Sequence, residues 1–361
     1  MYSESDIDNA VTAGALSAEA AAAFRAHVAG ERAAPLADEE SFRLVTGFND
    51  IFVTIATILL LVAVGWIGNA VGDGIFPLGS PLRFAAAAFL GSGGIAAASW
   101  LLAEYFTRQR RMALPSIVLL LSFALGMSGM VFGAATLVIP KPDDRTMGLI
   151  GAVAGLVTAG ATLAHWRRFH VPITVAALTV ALVGATVGVV VAILPGVVFA
   201  LNWLLLFAGI AVFLFAMRWD MSDRRRQTRR SDVAFWLHLA AAPMIAHPIF
   251  WTLGVMTQGF AGPKALAVVG LYAVFGLIAL AVDRRALLVS SLFYVLYALS
   301  ELLRQFGAVS LNVALTALVI GSGLLMLSAF WTPIRRVVVG WLPGELQAKL
   351  PVVDRVAAVA A

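Results

Sequence analysis

Seven polar side chains inside otherwise apolar stretches have chemistry to offer: Ser290, Tyr294, Tyr297 and Glu301 on one stretch, His247 on another, and Asn202 and Asn312 near the starts of two more. A carboxylate can partner a cation or a proton, an imidazole can relay a proton, and phenol and amide groups can line a polar path. At membrane depth each such group costs a few kcal/mol unless it is paired, so it marks a pathway or a packing bond. Ser290, Tyr294, Tyr297 and Glu301 fall within a helical stripe about 60° wide, which should face a bundle interior or a wet cavity. Glu301 and Arg304, at i and i+3, could equally form a local ion pair. Pro243 and Pro248 remove the donors that would bond the carbonyls of Leu239 and Met244. They make that stretch a candidate hinge or simply a shaped packing element. His238 and His247 lie nine residues apart, on opposite faces of a straight helix, so they are poor joint ligands for one metal. Trp251 shares a face with His247.

Other chemistry has no foothold. The chain holds no cysteine, so thiolate nucleophiles and cysteine-ligated metals are excluded. Phosphate-loop, dinucleotide, HExxH and GxSxG patterns are missing. No nucleophile–base pair, metal set or cofactor motif is legible, and neither an enzyme nor a cofactor is expected. GSGG at 91–94 sits inside an apolar stretch rather than after a strand. The GxxxG pairs Gly129–Gly133, Gly151–Gly155 and Gly184–Gly188 are expected to pack helices.

The elements that must position these residues are membrane helices. The 361 residues are 61% hydrophobic and only 12% charged, against about 45–50% and about 25% in soluble domains; mean hydropathy is +0.93. Ten apolar blocks of about 20 residues, each long enough to cross a bilayer core, run over 51–71, 82–104, 114–138, 147–165, 171–194, 197–217, 233–255, 264–282, 286–304 and 308–330. Pro195 and Gly196 force a tight reversal between the fifth and sixth. Placed on this frame, His247, Glu301, Asn202 and Asn312 share one outer slab, although a shared depth does not make them face one another. Glu104, His165, Asp283 and their neighbouring arginines fall at the opposite helix ends and are expected to snorkel into solvent.

Loop charge orients the chain. Loops after the even-numbered blocks hold fifteen arginines, and Lys349 and Arg355 follow in the tail; the other side holds Arg83, Lys141, Arg145, Lys264 and Arg304. This asymmetry predicts cytoplasmic termini. It also explains the net charge of +5 without nucleic acid. Arg224, Arg225, Arg226, Arg229 and Arg230 could hold anionic lipid headgroups or serve only as the anchor.

Three regions are expected. Residues 1–44 form an acidic cytosolic helical hairpin and linker, with Ser17 as an N-cap and Gly14 and Gly30 as stops. Ile7, Val11, Leu16 and Phe24 would make its small apolar contact. This hairpin could dock a cytosolic protein or the arginine cluster. Residues 45–331 form the ten-helix domain. Residues 332–361 form a cytoplasmic tail that either lies at the interface, anchored by Trp331 and Trp341, or is only partly ordered.

VTAGALSAEAAAAF at 11–24 resembles the helical hairpin that opens certain bacterial multi-pass inner-membrane families of unknown function. WTPIRRVVVGWLPGELQAKLP at 331–351 is similar to the proline-punctuated tail of related families. The resemblance covers about a tenth of the chain and implies no activity for any residue. Helix count and orientation also invite comparison with ten-helix drug/metabolite exporters, but the two halves show no repeat and the acidic N-terminus departs from that pattern.

The fold expected is thus all-α and polytopic: ten transmembrane helices, both termini cytoplasmic, in a bacterial inner membrane. The first functional reading is a small-molecule or ion carrier with Glu301 as coupling carboxylate. The alternative is a non-transporting protein of envelope maintenance or assembly that acts through the hairpin.

Overall fold

A computed structural model describes residues 4–33, 48–226, 228–255, 262–305 and 312–353. It contains helices and no strand among these residues. Two compact units divide the chain: Arg43–Pro351, and a smaller one that holds the first two helices. In the smaller unit α1 (Glu4–Thr12) and α2 (Ala18–Ala33) are tied by the Arg25–Asp8 ion pair. Gly14, at φ +71°, follows the end of α1, and the Ser17 hydroxyl accepts from Ala20 N. The expected stop at Gly30 is corrected: α2 continues to Ala33, since one glycine lowers helix propensity without breaking the hydrogen-bond ladder. The expected apolar contact is also partial, with Ala21 buried and Phe24 47% exposed.

The larger unit contains α3 (Phe48–Ile75), α4 (Leu82–Ala103), α5 (Ala113–Val138), α6 (Asp144–Phe169), α7 (Ile173–Ile193), α8 (Leu201–Ser222), α9 (Arg229–Thr252), α10 (Gly262–Val282), α11 (Ala286–Gln305), α12 (Asn312–Ala329), α13 (Trp331–Gly340) and α14 (Gly344–Gln347). Each expected apolar block overlaps one of α3 to α12. Eight helices among the described residues, α3 to α10, are long and apolar enough to cross a membrane. In α11 the apolar stretch is shorter, and α12 meets α13 at a bend of 77°. The reversal at Pro195 is a 3-10 turn, Pro195–Ala200.

Sequential helices pack against one another: α4 on α3 and α5, α6 on α7, α8 on α9, α10 on α11, with α9 also against α7 and α11. Small residues make the close approaches. A Cβ on Gly155 would lie 2.5 Å from Ala185 N, and one on Gly133 2.5 Å from Phe89 N, whereas Gly184 faces open space. Gly91, within the GSGG run, packs on Asn69. Glycine here brings helix backbones together rather than cradling a ligand.

Asp143 caps α6 by accepting from Thr146 N at 2.8 Å. Hydrogen bonds from the Thr146 side chain and then from its backbone N–H hold the Asp143 carboxyl below its ordinary value. A π-helical turn, Glu104–Gln109, ends α4. Glu104 there receives Arg168 in two bonds, 2.8 and 3.0 Å, from the end of α6.

α9 is the most enclosed of the candidate spans: 56% of its apolar window is buried, against 17% for α8. Both prolines lie inside this one continuous helix. Its position at the centre of the later helices, rather than its own hydropathy, decides where the polar groups meet.

Candidate functional site

Two polar contacts tie α9 to its neighbours, one in each half of the helix. Toward the outer slab of the expected frame, His247 Nδ1 and the Tyr294 hydroxyl of α11 lie within hydrogen-bond distance, 2.5 Å. Tyr294 stacks on Phe250 with centroids 4.7 Å apart and an interplanar angle of 14°. Trp251 flanks His247 at 5.9 Å. The phenol is thus clamped by α9 itself, and its hydroxyl is aimed at the imidazole. Ser290 is half-buried, and Tyr297 is 40% exposed, so the stripe expected on α11 does not lie wholly inside. Asn202 is half-buried on α8. The side chains of Glu301, Arg304 and Asn312 lie outside the described residues.

The second contact is at the arginine-rich end, and it is the more heavily built. Asp220, in the last turn of α8, is fully buried. Its Oδ1 accepts from Arg284 Nη2 at 2.7 Å, and its Oδ2 pairs with His238 Nε2 at 2.9 Å. Arg284 also donates to the Ser231 carbonyl at 3.0 Å. Phe213 meets the His238 ring edge-on at 5.0 Å, and Phe235 lies under the guanidinium at 5.9 Å. Removing two charges from water is expensive, and only close geometry with further hydrogen bonds compensates. Both are present here.

The turn between α10 and α11 makes this possible. Asp283 is left-handed, φ 59°, and Arg284 N closes onto Ala279 O at 2.9 Å. This folds Arg284 back toward α8. A left-handed non-glycine residue is uncommon and strained, and the side chains around Asp283 hold it there. Arg226, itself left-handed at φ 54°, pairs with Asp283 at 2.8 Å, and Trp331 Nε1 donates to Asp283 Oδ1 at 2.8 Å. Arg335 Nε approaches the same oxygen at 3.6 Å while donating to Leu280 O at 3.1 Å. Arg335 also bonds Pro351 O, and Arg224 bonds the carbonyls of Leu350 and Gln347. The last described stretch of chain is therefore fastened to the bundle by arginines.

This arrangement corrects the expectation that Asp283, Arg284 and His165 are solvated, whereas Arg108, Arg167 and Arg168 beside Glu104 and His165 are exposed. The Arg284 side chain is 5% exposed, Arg226 6% and Asp283 12%. His165 is 1% exposed, enclosed by Trp100, Phe123 and Phe169 with Thr174 at 3.5 Å. The physical reason at the ion cluster is that opposite charges from separate loops converge, so pairing replaces hydration. Of the five arginines expected to hold lipid headgroups, Arg224 and Arg226 turn inward, while Arg225, Arg229 and Arg230 are exposed.

Sequence reasoning missed Asp220, which lies three residues beyond the block assigned to its helix. The available signal was three aspartates, Asp220, Asp223 and Asp232, inside an arginine-rich loop. Asp223 accepts from Thr228 N and Oγ1 and shapes that loop.

Chemically, the cluster offers a carboxylate–imidazole pair able to exchange a proton and a guanidinium able to hold a carboxylate. No group of three metal-ligating residues occurs among the described residues. A separate apolar groove of about 430 Å³ opens between α7 and α8, beside Phe207 and Phe215. Its Thr179 and Thr186 hydroxyls turn to their own backbones, so the groove is lined mainly by apolar groups.

The fold and these apolar helices define a multi-pass helical membrane protein. No protein-family model matches the chain, and the searches of curated proteins and of solved structures return no match either.

Proposed function

We propose that the protein is a carrier of small molecules or ions in a bacterial inner membrane, with α3 to α12 as ten crossings and the termini and arginine-rich loops on the cytoplasmic side. The loop arginines support that orientation. The observation that carries the carrier reading is α9: an enclosed helix with two internal prolines, bonded through His238 to α8 and through His247 to α11. Internal prolines remove backbone hydrogen bonds and make a helix bend at defined places. Ionisable and polar groups at membrane depth mark substrate and ion pathways by default. Pro243 and Pro248 act as the hinge. Glu301, Tyr297, Tyr294, Ser290, His247, Asn202 and Asn312 line the outer half, with Glu301 as partner for a cationic group. Exposed Arg225, Arg229 and Arg230 rest on anionic headgroups.

The test is a thermal-unfolding scan of the full chain against alkali and alkaline-earth ions, amino acids, organic acids and nucleosides. Wild type, Glu301→Gln and His247→Ala are compared. A probe that binds the native state stabilises it by about 2.7 kcal/mol at a hundredfold excess over its Kd. The carrier reading expects at least one such probe, with its effect lost in the variants. Variants that only melt lower, with no probe acting on any form, count against it.

A second reading, an assembly or envelope-maintenance protein, is favoured by the separate compact unit that holds α1 and α2. It expects deletion of residues 1–44 to abolish function while Glu301→Gln leaves it intact.

A further inference from the structure

The buried cluster of Asp220, His238 and Arg284 is unbalanced in a way that packing alone does not require. One carboxylate serves two side chains: Oδ1 accepts from Arg284 Nη2, and Oδ2 pairs with His238 Nε2 at 2.9 Å while also facing Arg284 Nε at 3.4 Å. With a neutral imidazole, Nε2–H donates to Asp220, the Asp220–Arg284 pair sums to zero charge, and Nδ1 keeps the ring's free lone pair. A proton added at Nδ1 makes an imidazolium, and two cations then share one carboxylate in a low-dielectric setting where like charges repel strongly.

The two cations are not equally free to move. His238 is fixed in the middle of α9, with Phe213 against its ring. Arg284 sits on a short turn, already reaches the Ser231 carbonyl at 3.0 Å, and follows the left-handed Asp283. Movement of that turn carries Asp283 with it, and Asp283 holds Arg226 and Trp331. The charged groups that reach the imidazole are Asp220 of α8, Arg284 of the α10–α11 turn and Arg226 of the loop after α8; Asp232 of α9 faces Arg284, and Asp283 pairs with Arg226. Arg335 of α13 acts through Asp283.

We propose that this cluster is a proton-binding site and that occupancy of His238 Nδ1 opens the arginine-rich end by freeing Arg284 from Asp220. One proton enters from the aqueous side, no bond other than N–H is made, and its loss restores the ion pair. This deepens the carrier reading by naming the coupling ion, and it rests on that reading only for what the opening serves.

The experiment uses the full-length protein in detergent, as wild type and His238→Gln. Glutamine keeps an N–H donor near the Nε2 position and takes up no proton. The chain has five histidines; the other four are common to both forms and cancel. Titrated from about pH 8 to about pH 5, the range in which histidine ordinarily changes charge, wild type takes up one proton more than the variant. Because the chain has no cysteine, Ala241→Cys supplies a single thiol. Ala241 is fully buried and lies three residues beyond His238, on the next turn of α9. Water-soluble maleimide labels this thiol faster when His238 is retained than when His238→Gln is also present as pH falls, by roughly tenfold at the acid end if the open state becomes the major one. Comparison at equal pH cancels the thiol's own ionisation. Equal proton uptake, or a labelling ratio that stays at unity, overturns the proposal.

Should His238→Gln fail to fold, Asp220→Asn replaces it. Removing the carboxylate that both cations need is expected to leave position 241 open at both pH values, and a site closed at both overturns the proposal. Proton uptake and opening with no cargo stabilisation would remove the carrier reading and leave this site standing. Cargo stabilisation without proton uptake would do the reverse.

Discussion

Replacing Asp220 by leucine tests whether the buried ion cluster is a principal tie of the later helices. The substitution leaves the Arg284 guanidinium, 5% exposed, with the Ser231 carbonyl as its remaining acceptor in the cluster, and it strands His238 Nε2. Breaking a buried pair by removing one partner costs about 3–5 kcal/mol, because an uncompensated charge stays behind. At roughly 2 °C per kcal/mol for a large domain, the melting temperature should fall by about 6–10 °C. Arg284→Met should cost a comparable amount. The double variant Asp220→Leu/Arg284→Met should recover at least half of the summed loss, since replacing a whole buried pair by apolar groups is often near neutral. Recovery stays incomplete because His238 still lacks its acceptor. The assay is thermal unfolding of all four forms in one detergent, with Asp73→Asn as control. Asp73 pairs with Arg83 in a half-exposed setting, for which about 0–1 kcal/mol is expected. An Asp220→Leu melt no lower than the control's, or a double variant equal to the sum of the singles, would refute the reasoning.

Three further outcomes follow from the same structure. Gly155→Leu should destabilise the α6–α7 pair by about 1–3 kcal/mol, the usual cost of overpacking, because its Cβ would fall 2.5 Å from Ala185 N; Gly184→Ala, facing open space, should be neutral or slightly stabilising in the same melt. Tyr294→Phe removes the hydroxyl beside His247 but keeps the ring stacked on Phe250. It should cost about 1 kcal/mol of stability while abolishing the effect of any probe that stabilises wild type in the ligand scan. Asp143, whose carboxyl is held low by Thr146, contributes its cap fully above the ordinary carboxylate value and loses it as pH falls through the lowered folded value. The melting difference between wild type and Asp143→Ala should therefore persist at neutral pH and vanish only in strong acid.

Helices were legible because bilayer crossing demands long apolar runs, and Pro195 with Gly196 marked the one reversal those runs hid. Depth along a helix is equally readable, which is why His247 and the tyrosines of α11 stood out before any contact was known. Facing was not readable. Tyr294 reaches His247 because α11 packs on α9, its neighbour in space but not in sequence, whereas Tyr297 on the same stripe stays 40% exposed. The arginine-rich cluster was harder still. Asp220 and Arg284 lie 64 residues apart, and each sits beside several arginines that read as solvated anchors. No periodicity links them, and their meeting depends on a left-handed turn at Asp283, a residue type that tolerates this conformation better than most but adopts it at few of its positions. The π-helical turn at Glu104 is similarly silent, since its bond to Arg168 spans two helices that do not adjoin in sequence.

The proposed carrier reading, with Pro243 and Pro248 as hinge, requires α9 to open its arginine-rich half and its outer half in turn. Single cysteines at Ala241 and Ala246, both fully buried, placed in the cysteine-free chain and reconstituted in vesicles, test it directly with an impermeant maleimide applied to one side at a time. The account predicts that Ala241→Cys reacts from the arginine-rich side and Ala246→Cys from the opposite side, and that conditions which speed one slow the other. Failure of either site to react from any side, or parallel changes at both, would contradict it.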